Sequence, residues 1–417
     1  MAVFKKRLFV IVLFLGVAGS GLAKGRPLLT FAEYMANVEE NNAGFIAERY
    51  GVDASRAAVV AAGVRPDPEL SVGYANNQDW SISMGYAVDI SIGYLVELGG
   101  KRALRIKAAV SGSEMAAALA DDYLRNLRAD ASLAWVDAIR SDKACGIRRS
   151  SYLRMAELAS ADSIRFLSGA ISETDFRQSR LEAANMLVEV YKAEGERRDA
   201  VERLLLFEGG TVAPDSLDGD IIYVRRHFSL DSLVGAALAG RADIRAAVKE
   251  GEVSADNLRL ARAGRMADIG LSVGGVYSSR ALNDIAPAPA FTGITAGITI
   301  PLRLSNRNRG AIDAARAAAL RSLAATDAVR AGVRSDVTRA CNRYDVACKQ
   351  VEGFEAGILD EAIAILDSKT YSYARGETAV LDLLNARRSC NEALINYNET
   401  VYNYAVALIE LGRACGF

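Results

Sequence analysis

From Trp80 to Val96 every second residue is large and apolar: Trp80, Ile82, Met84, Tyr86, Val88, Ile90, Ile92, Tyr94 and Val96. Between them, as far as Gly93, stand Ser81, Ser83, Gly85, Ala87, Asp89, Ser91 and Gly93, all of them small or polar. Side chains alternate across a strand, so the pattern predicts one strand with an apolar face and a polar face. Seventeen residues at about 3.3 Å each would reach roughly 56 Å, longer than an ordinary soluble strand. An apolar face with aromatic ends, backed by Ser and Gly, suits a barrel with lipid outside and water inside.

The alternation is not isolated. Leu70, Val72 and Tyr74 form a shorter partner strand, joined through Asn76-Asn77-Gln78-Asp79. A second hairpin follows, with Ile269, Leu271, Val273 and Tyr277, then Ile294, Ala296, Ile298, Ile300 and Leu302 opposite Gly293, Thr295, Gly297 and Thr299. The strands are expected over about 68–75, 80–96, 269–280 and 291–302. The competing reading is an edge of a soluble β-sandwich, but two hairpins amid long helices have no soluble core to complete. Four strands cannot close a barrel, which needs about eight or more, and open edges are not tolerated in lipid. The barrel must therefore be shared between chains. Two copies would give eight strands and a filled interior; three would give twelve and a water-filled lumen.

The remainder is helical and repeats. Seven prolines in 417 residues leave long unbroken stretches, from Lys101 to about Arg165 and from about Gly310 to Tyr373, with Gly112, Gly146, Gly332, Gly353 and Gly357 as positions where bends are expected. Leu394, Tyr397, Val401, Tyr404, Leu408 and Leu411 follow heptad spacing, a coiled-coil seam. Ser71-Val72-Gly73 returns as Ser272-Val273-Gly274, Arg128-Ala129-Asp130 as Arg334-Ser335-Asp336, and Phe166-Leu167-Ser168-Gly169 as Tyr373-Ala374-Arg375-Gly376. Asp175 and Arg180 return as Asp382 and Arg387, and Asn42 to Ile46 matches Arg241 to Arg245 as a stretch within a helix. Two structural repeats are expected, about 28–212 and 228–413, joined by residues 213–228. Each reads helix, strand, strand, long helix, tight turn, helix.

Export is written at the start. Lys5, Lys6 and Arg7 precede an apolar run from Leu8 to Ala18, and Gly21-Leu22-Ala23 supplies a cleavage site, so residues 1–23 read as a signal peptide. Three of 50 basic residues go with it, leaving 47 against 51 acidic, a net −4. That balance gives no basic face for nucleic acid. The single histidine, His227, disfavours His-ligated metal and Ser–His–Asp chemistry. There is no GxxxxGK[ST], GxGxxG, CxxC or HExxH, so neither an enzyme nor a cofactor is expected. The five cysteines, Cys145, Cys341, Cys348, Cys390 and Cys415, read as small apolar packing residues.

With these features together the chain resembles the TolC family of outer-membrane channel proteins, over about Leu29 to Gly412. The resemblance is carried by Arg65 to Leu70 (RPDPEL) entering the first strand and Glu97 to Arg102 (ELGGKR) leaving the second. Pro301 to Gly310 (PLRLSNRNRG) followed by Ala314-Ala315-Arg316, and the paired turns at Gly169 and Gly376, complete it. The GGKR and NRNRG segments look most like the outer-membrane components of heavy-metal efflux systems, of the cobalt–zinc–cadmium or copper/silver type. The resemblance implies a mainly α fold with membrane β: a long periplasmic coiled-coil tunnel under a twelve-stranded barrel, shared by a homotrimer in outer-membrane lipid. It implies passive export, with a periplasmic adaptor (membrane fusion) protein and an inner-membrane RND-type pump as partners. The adaptor would meet the helix tips at Gly169, Ala170, Ile171, Gly376, Glu377 and Thr378, and Asp175, Tyr373 and Asp382 would form a periplasmic gate. Thr378 and Asn385 depart from the family's pattern of an Arg and an Asp, leaving Arg375 or Arg387 to serve in that contact, or a more weakly held entrance. Other expectations are a channel for type I protein secretion and a soluble periplasmic coiled-coil scaffold. Asp175 and Asp382 also read simply as helix N-terminal charges.

Overall fold

The computed structural model describes residues 29–76, 84–210, 213–214, 216–302 and 306–416. The expected signal peptide, and Trp80 to Ser83 of the expected long strand, lie outside these residues.

The order is α1 (Phe31–Asn41), α2 (Ala43–Ala62), β1 (Glu69–Asn76), β2 (Tyr86–Val96), α3 (Lys101–Leu167) and α4 (Glu173–Glu208). The second half runs α5 (Leu230–Gly240), α6 (Ala242–Ala263), β3 (Ile269–Ser278), β4 (Phe291–Thr299), α7 (Arg309–Gly353), α8 (Leu359–Ala374) and α9 (Val380–Cys415). Each half opens on two helices where one was expected. Asn42 and Arg241, matched as positions within a helix, are instead corners between helices, with nearly equal backbone angles (φ −63°, ψ 115° and φ −63°, ψ 133°). Extended ψ at one residue ends one helix and caps the next; Asn42 accepts the Phe45 N–H at 3.0 Å.

The four strands form one antiparallel sheet in the order β1-β2-β3-β4. Its register lines up Leu70, Ile92, Val273 and Ala296 in one row and Val72, Ile90, Gly275 and Ile294 in the next. That face is bare: Leu70 is 68% exposed, Val273 62% and Ile294 88%. The opposite face carries Ser71, Ser91, Gly274 and Thr295. Tyr74, Tyr86 and Tyr277 cluster at one end, with ring centroids 6.1 and 6.0 Å apart. The outer edges of β1 and β4 have no partner strand among the described residues.

β2 is shorter than its alternation suggested. Gly85 has φ +78°, and the Tyr86 N–H donates to Ser279 Oγ at 2.7 Å, so the ladder starts at Tyr86. Eleven residues span about 36 Å, and a tilt of about 40° reduces that to roughly 28 Å, near the hydrocarbon thickness of a bilayer.

Both strand-to-helix junctions use two successive left-handed residues. These are Gly99 and Gly100 (φ +73° and +67°) before α3, and Arg307 and Asn308 (φ +43° and +62°) before α7. The first is locked by Lys101, 8% exposed, whose Nζ donates to Met266 O at 2.7 Å and to Asp268 Oδ1 at 2.8 Å. Arg105 grips Glu97 through two hydrogen bonds and donates to Ala62 O; that hydrogen-bonded guanidinium holds the Glu97 carboxyl below its ordinary range. The second junction is tied by Asn308 Nδ2 to Ala261 O at 2.8 Å.

α3 is unbroken over 67 residues, roughly 100 Å at 1.5 Å per residue. Gly112 and Gly146 therefore mark no break in it, nor does Gly332 in α7. α7 ends at Gly353, a π-turn covers Phe354–Ile358, and Gly357 has φ +121°. Two cores hold the helices. One joins α5, α7 and α9 through Val333, Val337, Tyr344, Tyr404 and Leu411; the other joins α1, α3 and α4 through Tyr34, Val38, Ala131, Trp135 and Leu204. All five cysteines are buried free thiols.

Candidate functional site at the helical tips

The end of the helical body far from the strands is built from two helix–turn–helix tips. At the first, Gly169 takes φ +73°, its N–H donates to Phe166 O at 2.9 Å, and the Ala170 N–H donates to Arg165 O at 2.8 Å. At the second, Gly376 takes φ +77°, donating to Tyr373 O at 3.0 Å, while Glu377 donates to Ser372 O at 3.0 Å. These are matching Schellman closures, which glycine makes without strain. Gly169, Ala170, Gly376 and Glu377 are exposed; Ile171 and Thr378 are partly covered.

A third core packs the two tips together: Met155 of α3, Tyr373 of α8, and Val380, Leu383 and Leu384 of α9. Met155 and Leu383 are fully buried, each contributing about 1.5–3 kcal/mol. Arg388 of α9 pairs with Glu182 of α4. A second polar link, fully buried at its acceptor, is Tyr373 Oη donating to Asp162 Oδ1 at 2.7 Å, from α8 to α3. Asp162 is 0% exposed, and its Oδ2 has no hydrogen-bond partner among the described residues. Arg165 lies over the Tyr373 ring, 5.1 Å from its centroid, and donates to Ala374 O at 2.9 Å. Burial, and then the bond to Asp162, push the Tyr373 phenol up to about 12.

Of the three expected gate residues, only Tyr373 takes part in this link. Asp175 sits at the start of α4, where it accepts from Ser172 Oγ at 2.8 Å while Ser172 caps its N–H. Asp382 is exposed on α9 with Lys369 Nζ 3.9 Å away. No hydrogen bond or ion pair joins either aspartate to Tyr373. Neither arginine expected to serve near the turn bonds to Asp162 or Tyr373. Arg375 is 4.5 Å over the Tyr371 ring, and Arg387 is buried with Nε and Nη1 unpaired. Burial and the neighbouring Arg154 lower the Arg387 pKa. Arg165, from the opposite hairpin, is the arginine that reaches Tyr373. Asp162 and Arg165 were missed from sequence; the one available signal was their position within a turn of Phe166, the repeat counterpart of Tyr373.

Among the described residues no group of three or more His, Cys, Asp or Glu is placed to hold a metal, and no helix is long and apolar enough to cross a membrane. Residues 233–416 match the family model described as outer membrane efflux protein. The second half of the chain is thus similar to the outer membrane efflux proteins. It is 24% identical over 379 residues to the cobalt-zinc-cadmium resistance protein CzcC of Cupriavidus metallidurans, covering 88% of this chain and 85% of that one. Its fold is similar to a membrane protein from Pseudomonas aeruginosa (TM-score 0.77, 17% identity, 92% of this chain and 93% of that). It is similar also to CusC, whose structures describe transmembrane channel formation (TM-score 0.75, 16% identity, 92% and 91%). The fold is thus that of the TolC-like channel proteins, a long helical body with a four-stranded antiparallel sheet.

Proposed function

We propose that this chain is the outer-membrane exit duct of a tripartite efflux system, exporting solutes passively from the periplasm, with heavy-metal cations as the cargo class. The observation that carries the reading is the four-stranded sheet, with two open edges, one bare apolar face and one small polar face. Three copies would join edge to edge into twelve strands around water. The heavy-metal cargo rests on the likeness to CzcC.

The tips at Gly169–Ile171 and Gly376–Thr378 are the free ends, where a periplasmic adaptor fed by an inner-membrane RND-type pump would dock. Exposed Ile164 and Leu167 beside the first tip favour an apolar contact there. The Tyr373–Asp162–Arg165 link would hold the closed entrance, with Asp175 and Asp382 as charges near its mouth; pump and adaptor would favour the open arrangement. Cross-linking in outer-membrane fractions tests the assembly: a trimeric ladder is expected. A protein recovered only as a monomer from the periplasmic fraction would overturn the proposal.

A further inference from the structure

The buried stripe at the start of α9 runs through Val380, Leu383, Leu384, Arg387 and Cys390, at helical spacing. Four of these are apolar packing residues; the fifth is a guanidinium, 8% exposed. A leucine would pack there with no charge to desolvate. Arg387 Nε and Nη1 are instead buried without a hydrogen-bond partner, and no ion pair reaches the residue among the described residues. Its counterpart in the first hairpin is better placed. Arg180 lies over the Phe176 ring at 5.4 Å, but the residue that matches Phe176 in the repeat is Leu383, which offers a cation no π face. A second guanidinium adds to the cost. Arg154 of α3 repels Arg387, Glu157 attracts it, and burial and the repulsion together lower the Arg387 pKa. Arg154 and Glu157 are both exposed, and neither has an ion pair among the described residues. Arginine keeps its proton under such a shift, so the buried charge needs compensation in place.

We propose that Arg387 and Arg154 bind a small inorganic oxyanion, of the phosphate or sulfate class, between α9 and α3. Guanidinium groups present planar forks of N–H donors that fit the oxygens of such an anion. The unpaired donors of Arg387 form the buried side of the site. Arg154 forms its solvent side, so the anion enters without unpacking the core. Bound there, it neutralises the buried charge and joins α9 of the second hairpin to α3 of the first, beside the core around Met155 and Leu383. A ligand that binds only the folded chain stabilises it in step with the logarithm of its concentration. Such binding is independent of the exit-duct reading and would hold whether or not the chain exports solutes.

The test is equilibrium dialysis of the purified full-length protein against radiolabelled inorganic phosphate, with sodium chloride holding the ionic strength constant. The native protein should bind one phosphate more per chain than Arg387→Met, which fills the same stripe without a charge. Its thermal midpoint should rise with phosphate to a plateau, by about 2 °C or more. Arg387→Met should show no such rise and should melt no lower than the phosphate-free native protein. Arg154→Gln, an exposed change that leaves packing intact, should weaken binding about tenfold or more; should Arg387→Met not assemble, this variant decides. Unlabelled sulfate should displace the phosphate. Displacement by chloride at equal concentration, equal phosphate binding in the native protein and Arg154→Gln, or no phosphate bound by the native protein would each overturn the inference.

Discussion

Tyr373→Phe isolates the link between the hairpins. The substitution keeps the ring, and with it the packing on Met155 and Leu384 and the Arg165 contact, but removes the donor 2.7 Å from Asp162 Oδ1. Asp162 is fully buried and its other oxygen is already unpaired, so the change strips the carboxylate of its one hydrogen bond from the second hairpin. A hydrogen bond to a charged group contributes about 1.5–3 kcal/mol. About 2 kcal/mol corresponds to a shift of roughly thirtyfold in the balance between closed and open tips. Single-channel open probability in planar bilayers would read that shift, and protease protection at the turns would report it independently. Asp162→Asn alone leaves a neutral acceptor and should cost less. Combined with Tyr373→Phe it should cost less than the two added, because the pair is one interaction. If Tyr373→Phe opened the duct no more often than the native protein, and changed protection at Gly376 by less than about 0.5 kcal/mol, the link would be ordinary packing.

Four further outcomes follow from named contacts. Lys101→Met removes an ammonium buried against Asp268 and should cost about 3 kcal/mol, seen as a lower thermal midpoint of the assembled protein. Ile90→Lys, in the bare apolar row, should cost about 2–4 kcal/mol at the bilayer centre and deplete assembled protein from outer-membrane fractions, whereas Ser91→Lys on the other face should assemble normally. Gly357→Ala forces a Cβ into φ +121° and should destabilise by roughly 1–3 kcal/mol. Gly353→Ala, at helical φ −62° with nothing within 4 Å, should be neutral or stabilising by under about 1 kcal/mol. Finally, the folded Tyr373 phenol titrates near 12 against about 10 in an unfolded chain. Its contribution is complete below pH 10 and is lost as pH rises toward 12, so closure should weaken more steeply over that window in the native protein than in Tyr373→Phe.

The strands were legible because alternation over several residues has one structural meaning. Val72, Ile90, Val273 and Ile298 all fell on the expected face. Their ends were less so: the side-chain pattern runs through Gly85, but backbone at φ +78° does not continue a ladder, and period two carries no information about φ. The GGKR and NRNRG strings were legible as markers, and the structure supplies their reason in paired left-handed residues. Helix existence was readable from absent proline. Glycine was a poor guide to bends, since Gly112, Gly146 and Gly332 sit in ordinary helix while Gly357 does not; packing, not propensity, decides which glycine yields. At the tips, repetition located Gly169, Gly376, Asp175 and Asp382, because turns and caps are local. Asp162 and Arg165 were invisible because their roles depend on a helix 211 and 209 residues further along the chain, and no local pattern encodes that pairing.

The two tips share a backbone plan but not a means of support. The first is held largely by its own residues: Ser172 caps α4, Phe166 stacks on Phe176 at 5.2 Å with rings 1° apart, and Arg180 covers the same ring at 5.4 Å. In the second, Ala379 stands where Ser172 stands, and no side chain caps α9. Tyr373 replaces Phe166 and turns to α3 instead of to its own hairpin. The helix leading to it is interrupted at Gly357, whereas α3 runs through unbroken. A missing cap costs about 1 kcal/mol, and a mid-helix π-turn with left-handed backbone removes the stiffness that a continuous helix would transmit. The second hairpin therefore owes more of its position to contacts with the first, through Tyr373, Arg165 and the core around Leu383, than to its own local structure. A segment supported that way opens at lower cost than its neighbour, so hydrogen exchange should be faster in α8 and the start of α9 than in the matching turns of α3 and α4, and equal protection in the two tips would refute this.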